Sequence, residues 1–247
     1  MTIKTIGAAL ALTLCAAPAL ASGPGEKDWR FGDGVTPERW SSVNSAYALC
    51  DAGLNQSPID LGQSRAVGHL ELDVNFMKSA GTIALGLEKV QVDFPAGQGM
   101  VSGGKAFDLV QVHFHTPSEH AINGKRHPLV AHFVHATKEG ELGVLGVMFK
   151  EGAANGELQK IVDGVKAGKG SKIMVDSSKL LPAEVHPYRY MGSLTTPPCS
   201  EGVNWHVADM AIEASASQIA AMRAALGGDT ARSLQPLGGR LLVAPAR

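Results

Sequence analysis

The chain has 247 residues, 45% of them hydrophobic and 18% charged, with a formal net charge of −1 at pH 7. That is apolar material for one large core or two small ones. A near-neutral balance without a basic stripe argues against nucleic acid as a partner and against electrostatic attachment to an anionic membrane.

Residues 1–21 read as a secretory signal peptide. Lys4 gives a short positive start, Ile6 to Leu14 is apolar, and Ala19-Leu20-Ala21 forms a small-x-small cleavage site. Cys15 follows Leu14, which is bulky where a lipoprotein cleavage box needs a small residue. Nothing later in the chain reaches about 18 uninterrupted apolar residues, so no stable membrane span is expected. Export is expected, to the periplasm or the extracellular medium. Residues 22–28 are a Gly- and Pro-containing flexible lead-in, and 29–247 read as one domain with no interdomain linker. Removal of the leader takes Cys15 and leaves Cys50 and Cys199. An even pair in an exported chain argues for a disulfide closing a loop of about 150 residues, worth roughly 4–5 kcal/mol in the chain-entropy model.

Strand-like runs recur along this domain at Lys89–Phe94, Leu109–His115, Leu129–His135, Leu142–Phe149 and Val203–Asp209. Turns such as Pro95-Ala-Gly and Asn123-Gly124 separate them. Glu157–Ala167 and Ser217–Leu226 have helical spacing and good helix formers. The pattern predicts a mainly β domain with peripheral helices around a central, largely antiparallel twisted sheet.

His113 and His115 stand one residue apart on an alternating run, so both imidazoles leave one strand face, about 6.5–7 Å apart along the backbone. Both can lean toward one ion at a Zn–N distance of roughly 2.0–2.1 Å, and His132 on the next run can supply a third nitrogen. Three neutral imidazoles leave a tetrahedral Zn²⁺ one open vertex, the arrangement of a catalytic site. His135, three positions after His132, falls on the opposite face and reads as structural. His69, His127, His186 and His206 carry no distinguishing pattern. His120 reads as a supporting or core residue. Ser193-Leu-Thr-Thr-Pro-Pro198 presents hydroxyls, which both donate and accept, on a segment stiffened by two prolines. His-x-His followed by Glu119 also imitates a cupin motif, in which Glu119 would itself be a metal ligand and iron or manganese would fit better.

Gly192-Ser-Leu-Thr-Thr-Pro-Pro-Cys-Ser-Glu-Gly-Val-Asn-Trp205, Gln56-Ser-Pro-Ile-Asp60 and His113-Phe-His-Thr-Pro-Ser-Glu-His120 together resemble the signature blocks of the α-class carbonic anhydrases, especially the exported bacterial type. The matches run from Trp29 to about Arg240 in the family's order. The resemblance implies a zinc lyase with one Zn²⁺ per chain, held by His113, His115 and His132 at the bottom of a conical cleft. The activity it implies is reversible hydration of CO₂ to bicarbonate and a proton, by attack of zinc-bound hydroxide. In that family the ion brings its bound water to a pKa of about 7. Thr195 would accept the hydroxide's proton in a hydrogen bond, and Glu119 would hold the Thr195 hydroxyl. Thr196 would line the cleft, and Val134, Val144, Leu194, Val203 and Trp205 would form an apolar CO₂ pocket. Gln111 would orient His113, Gln91 would occupy a polar cleft position, and Cys50 and Cys199 match the disulfide positions of the bacterial relatives. Pro197–Pro198 resembles their cis peptide. No nucleic-acid partner is implied.

Three positions depart from the family pattern. Glu88, or Lys89 beside it, stands where many relatives carry a histidine that shuttles the proton to solvent. Val130, two residues before the third ligand, replaces a glutamate that usually orients that imidazole. A backbone carbonyl, a water or His120 remain as alternative partners for the ring. Phe31 stands where an active-site tyrosine is common, which keeps the ring and removes the hydroxyl. None of the three departures replaces an expected ligand, Thr195 or Glu119.

Overall fold

The structure, a computed structural model, describes residues 28–32 and 36–246. The predicted signal peptide, and all of the lead-in except Asp28, lie outside the described residues. Thirteen strands form one sheet among the described residues: β1 (Ala66–Gly68), β2 (Leu72–Asn75), β3 (Lys78–Gly86), β4 (Lys89–Asp93), β5 (Gly99–Ser102), β6 (Lys105–His115), β7 (Leu129–Ala136), β8 (Leu142–Glu151), β9 (Lys172–Asp176), β10 (Pro187–Ser193), β11 (Glu201–Ala208), β12 (Ile212–Ala214) and β13 (Leu242–Pro245). The main path runs β1-β13-β10-β11-β8-β7-β6-β4-β3-β9, with β5 and β12 paired beside β6 and β8. All pairings are antiparallel except β1 with β13 and β8 with β11 and β12. The predicted sheet domain is therefore present, with a few parallel joins.

All five predicted strands exist, most of them longer than expected. The strands that the pattern did not reveal are short or poor in β-branched residues. β3 reads Lys-Ser-Ala-Gly-Thr-Ile-Ala-Leu-Gly, and its extended form is secured by pairing on both sides, with β4 and β9. Tertiary pairing overrides weak local propensity here.

Alternation divides the side chains of the central strands between two cores. On the back face Val112, Phe114, Ala131, Phe133, Leu145 and Val147 pack beneath two helices, α1 (Gly156–Ala167) and α2 (Ala216–Leu226). Asn155 caps α1 by accepting from the amides of Glu157 and Leu158, and Ser215 with Gln218 forms a capping box on α2. On the front face Val130, Val144, Met148, Tyr190, Val203, Trp205 and Val207 form a second apolar cluster. The imidazoles of interest lie against this front cluster.

Cys50 and Cys199 are joined by a disulfide across 149 positions, with their Cα atoms 5.0 Å apart. Both are buried, and with Trp40 they form a third small core that ties the N-terminal segment to the loop after β10. Replacing both cysteines by alanine is expected to lower stability by about 2–5 kcal/mol. Guanidinium unfolding followed by tryptophan fluorescence checks this, and an unchanged midpoint would show that the bridge is incidental.

Candidate metal centre

Register brings the three histidines together. β6 and β7 pair antiparallel with His113 directly opposite His132, and His115 opposite Val130. Opposed residues share a face, and so do residues two apart, so all three rings stand on the front of the sheet. Their centroids are 5.1–5.2 Å apart. One ligand atom from each lies within 4.8 Å of the other two, a cluster that can hold a metal ion. Glu119 does not join this group. Its carboxylate sits to one side, with Oε2 3.5 Å from His115 Nε2 and 3.7 Å from His132 Nδ1. The three-histidine grouping matches the expected ligand set rather than the cupin-like alternative with a carboxylate ligand.

Two rings are oriented from behind. His113 Nδ1 pairs with Gln111 Oε1 at 3.0 Å, and His115 Nδ1 donates to the Thr230 carbonyl at 2.6 Å. Those bonds leave Nε2 of each ring for an ion, and His132 presents Nδ1 beside Glu119. His115 Nε2 is buried with no hydrogen-bond partner, as expected of a nitrogen whose partner is a metal. Burial, and then the positive charge that His115 would carry, hold the pKa of His113 and of His132 well below the ordinary histidine value. Both are therefore neutral at physiological pH, the form that binds zinc.

His132 Nε2 differs: it is buried and no protein atom accepts from it. Val130 is fully buried and offers nothing. His120 does not replace the missing acceptor, because its Nε2 is engaged with Tyr190 Oη at 2.7 Å and its Nδ1 is itself unpartnered.

The remaining candidates gather around the rings. Val134 pairs opposite Val144, which pairs opposite Trp205, and the Trp205 ring lies 4.9 Å from that of His132. Leu194 and Val203 belong to the same apolar cluster. Gln91 on β4 pairs opposite His113, and Lys89, two residues earlier, shares that face. Glu88, in the turn before β4, accepts from the Phe31 backbone amide at 3.2 Å, while the Phe31 ring packs edge-on against His115 at 5.9 Å. Thr195 and Thr196 sit in the loop between β10 and β11, where a register shift between Gly192 and Ser193 turns the chain out of the sheet. Only glycine fits at 192. An added Cβ would lie 2.7 Å from Tyr190 Cε2, 2.9 Å from Trp205 Cδ1 and closer still to Ser57 Oγ. Pro197–Pro198 in that loop is cis. Glu119 Oε1 accepts from the Arg232 amide at 3.1 Å, and Oε2 has no hydrogen-bond partner, so no bond from Thr195 reaches that oxygen here.

Comparison with known proteins agrees with this geometry. A family model described as eukaryotic-type carbonic anhydrase matches residues 35–245. The chain belongs to the α-type carbonic anhydrase family. It is 36% identical to a carbonic anhydrase of Pectobacterium carotovorum over 239 residues, covering 95% of this chain and 97% of that one. A carbonic anhydrase of Neisseria gonorrhoeae is 34% identical, with 95% of each chain covered. Among solved structures, the α-carbonic anhydrase of Thermovibrio ammonificans bound to sulfanilamide is 40% identical, with a TM-score of 0.83, covering 89% of this chain and all of that one. Dioscorin complexed with ascorbate shares the fold at 28% identity and a TM-score of 0.81. Family membership makes this an enzyme of the carbonic anhydrase type and implies CO₂ hydration; the family is in general zinc-dependent. No helix among the described residues is long and apolar enough to cross a membrane.

Several contributors were not found from sequence. The Thr230 carbonyl and the Arg232 amide are backbone groups, which carry no side-chain signature. Tyr190 was missed as well, because its place on this wall comes from pairing opposite Trp205, on a strand whose sequence gives no strand signal.

The buried histidines make stability depend on pH. Burial, chiefly, pulls the pKa of His120 and His206 down to about 3 and that of His135 to about 4. Burial is the largest cause in each case, and it does not depend on metal. Their folded values lie below the unfolded value near 6.5, so the unfolded chain binds more protons as pH falls. Their contribution to stability is complete above about pH 6.5 and is lost progressively down to about pH 3–4. Each histidine adds a slope of at most about 1.4 kcal/mol per pH unit. Urea midpoints measured from pH 7 to 4 are expected to fall steeply, and to fall less in His135→Asn; a flat profile would overturn the assignment.

Proposed function

We propose that the chain hydrates CO₂ reversibly at one zinc ion per chain, held by His113, His115 and His132. The observation that carries this is the convergence of three imidazoles within 4.8 Å, those of His115 and His132 buried and that of His113 half-buried, two of them already oriented by hydrogen bonds from behind. When bound there, Zn²⁺ would supply a vertex at which water loses its proton near neutral pH. The residues then divide the remaining work.

Val134, Val144, Leu194, Val203 and Trp205 hold CO₂ against an apolar wall. Such a wall suits a molecule without charge and with little hydrogen-bonding capacity, and it releases the charged product more readily than the substrate. Thr195 accepts the nucleophile's proton in a hydrogen bond, which directs a lone pair at the CO₂ carbon, and donates its own proton to Glu119. The free, buried Oε2 of Glu119 supports this role, since it is an acceptor without a donor beside the candidate ligands. Thr196 lines the cleft where bicarbonate forms, and Gln91 supplies its polar side. The net change is CO₂ and water to bicarbonate and a proton.

That proton must leave through the mouth of the cleft, where Glu88 and Lys89 are the candidate relays. Neither is an imidazole, the side chain suited to passing a proton near neutral pH. External buffer therefore takes over much of the transfer. The signal peptide proposed for residues 1–21, together with the disulfide, supports work outside the cytoplasm, and the bacterial relatives favour the periplasm.

Stopped-flow hydration assays with metal quantification test this reading. His115→Ala is expected to lose both zinc and turnover; a variant as active as the parent would exclude that ligand. Thr195→Ala is expected to retain zinc and lose roughly 10²–10³-fold in kcat/KM. Turnover should rise severalfold with imidazole concentration, and saturation at a high rate without added buffer would exclude the relay argument.

A further inference from the structure

We propose that Val130 sets this centre to hold its metal loosely, because it leaves two neighbouring imidazole N–H groups without an acceptor. The inference rests on zinc binding by the three histidines as proposed above.

The three rings are supported unequally. His113 and His115 each have a partner on the nitrogen turned away from the cluster, Gln111 Oε1 and the Thr230 carbonyl. His132 has none on Nε2. A ligand imidazole whose far N–H is bonded is a better base and is fixed in angle, so the unbonded ring is the weak corner of the site.

The second orphan is His120. A directed chain of hydrogen bonds reaches it: the Ser193 amide donates to Ser57 Oγ at 3.0 Å, Ser57 Oγ pairs with Tyr190 Oη at 2.7 Å, and Tyr190 Oη pairs with His120 Nε2 at 2.7 Å. Among the described residues Tyr190 Oη is the one acceptor in reach of the buried Ser57 proton, so that proton goes to Tyr190 and the tyrosine proton to His120 Nε2. His120 Nδ1 must then carry hydrogen, and it is buried without a partner. The His120 and His132 rings lie 6.2 Å apart, yet neither orphan nitrogen bonds the other. Two donors cannot pair with each other.

Position 130 lies two residues before His132 on β7, on the same face and fully buried. Its side chain belongs to an apolar group with Ile59, Leu61 and Met148. An acceptor there would be placed to serve both orphan donors. Valine instead avoids burying a carboxylate, which favours the metal-free fold at the expense of the metal-bound one. The chain has thus exchanged metal affinity for packing.

Three outcomes decide it. Zinc affinity is measured by competition with a chromophoric chelator on the folded, mature protein and on Val130→Gln and Val130→Glu. Both variants are expected to bind zinc about 10–100-fold more tightly than the parent. Variants that fold, by circular dichroism, and bind no more tightly would overturn the inference while leaving the proposed function intact. A parent that binds no zinc would overturn the proposed function itself and this inference with it. Should neither variant fold, ring ¹H–¹⁵N spectra of the zinc-loaded parent remain decisive. Two ligand N–H protons are expected at the downfield position of a hydrogen bond and the third well upfield; three downfield resonances would overturn the proposal.

Discussion

The pairing of β6 with β7, in the one register that sets His113 across from His132, is the constraint on which the centre depends. A slip of one residue would turn His132 to the back of the sheet and bring His135 to the front, with nothing else in place around it. The register is enforced from behind. Val112, Phe114 and Phe133 point into the larger core, and moving them to the cleft would expose buried aromatic surface. Packing energy on one face thereby fixes geometry on the other.

Burial does a second task. Three imidazoles within a few ångströms of each other would repel if protonated, and desolvation keeps at least His113 and His132 neutral. The cluster is thus prepared for a cation rather than merely tolerant of one. Around it the loop carrying Thr195 and Thr196 is held by unrelated means: a register break at its start, close approach of Gly192 to Tyr190 and Trp205, and the bridge at Cys199. Candidate hydroxyls on a loop need such external support, since no sheet hydrogen bonds fix them.

Much of this was legible in the chain because the relevant signals are side-chain signals. His-x-His on an alternating run announces a shared strand face, and the even cysteine pair announced a bridge that the structure contains. The sheet domain and its two main helices followed from periodicity. Strand β10, which begins with proline and contains Arg189 and Gly192, gave no such signal, although it carries Tyr190 and leads into the threonine loop. Parity placed Val134 with His132 and Val203 with Trp205, but not the distance between those pairs. That distance depends on β8 lying between β7 and β11, a matter of topology. The hydrogen bonds to Thr230 and Arg232 were invisible because any residue type could supply the same backbone atoms.

Those two backbone groups have a consequence for biogenesis. The candidate ligands lie between positions 113 and 132, but the carbonyl that aims His115 and the amide that anchors Glu119 arrive only with Thr230 and Arg232. A nascent chain halted at residue 200 would own every candidate ligand and both threonines, and still present a wobbling ring and an untethered acid. Full support of these side chains therefore belongs to the finished polypeptide, after its last segment has closed against them.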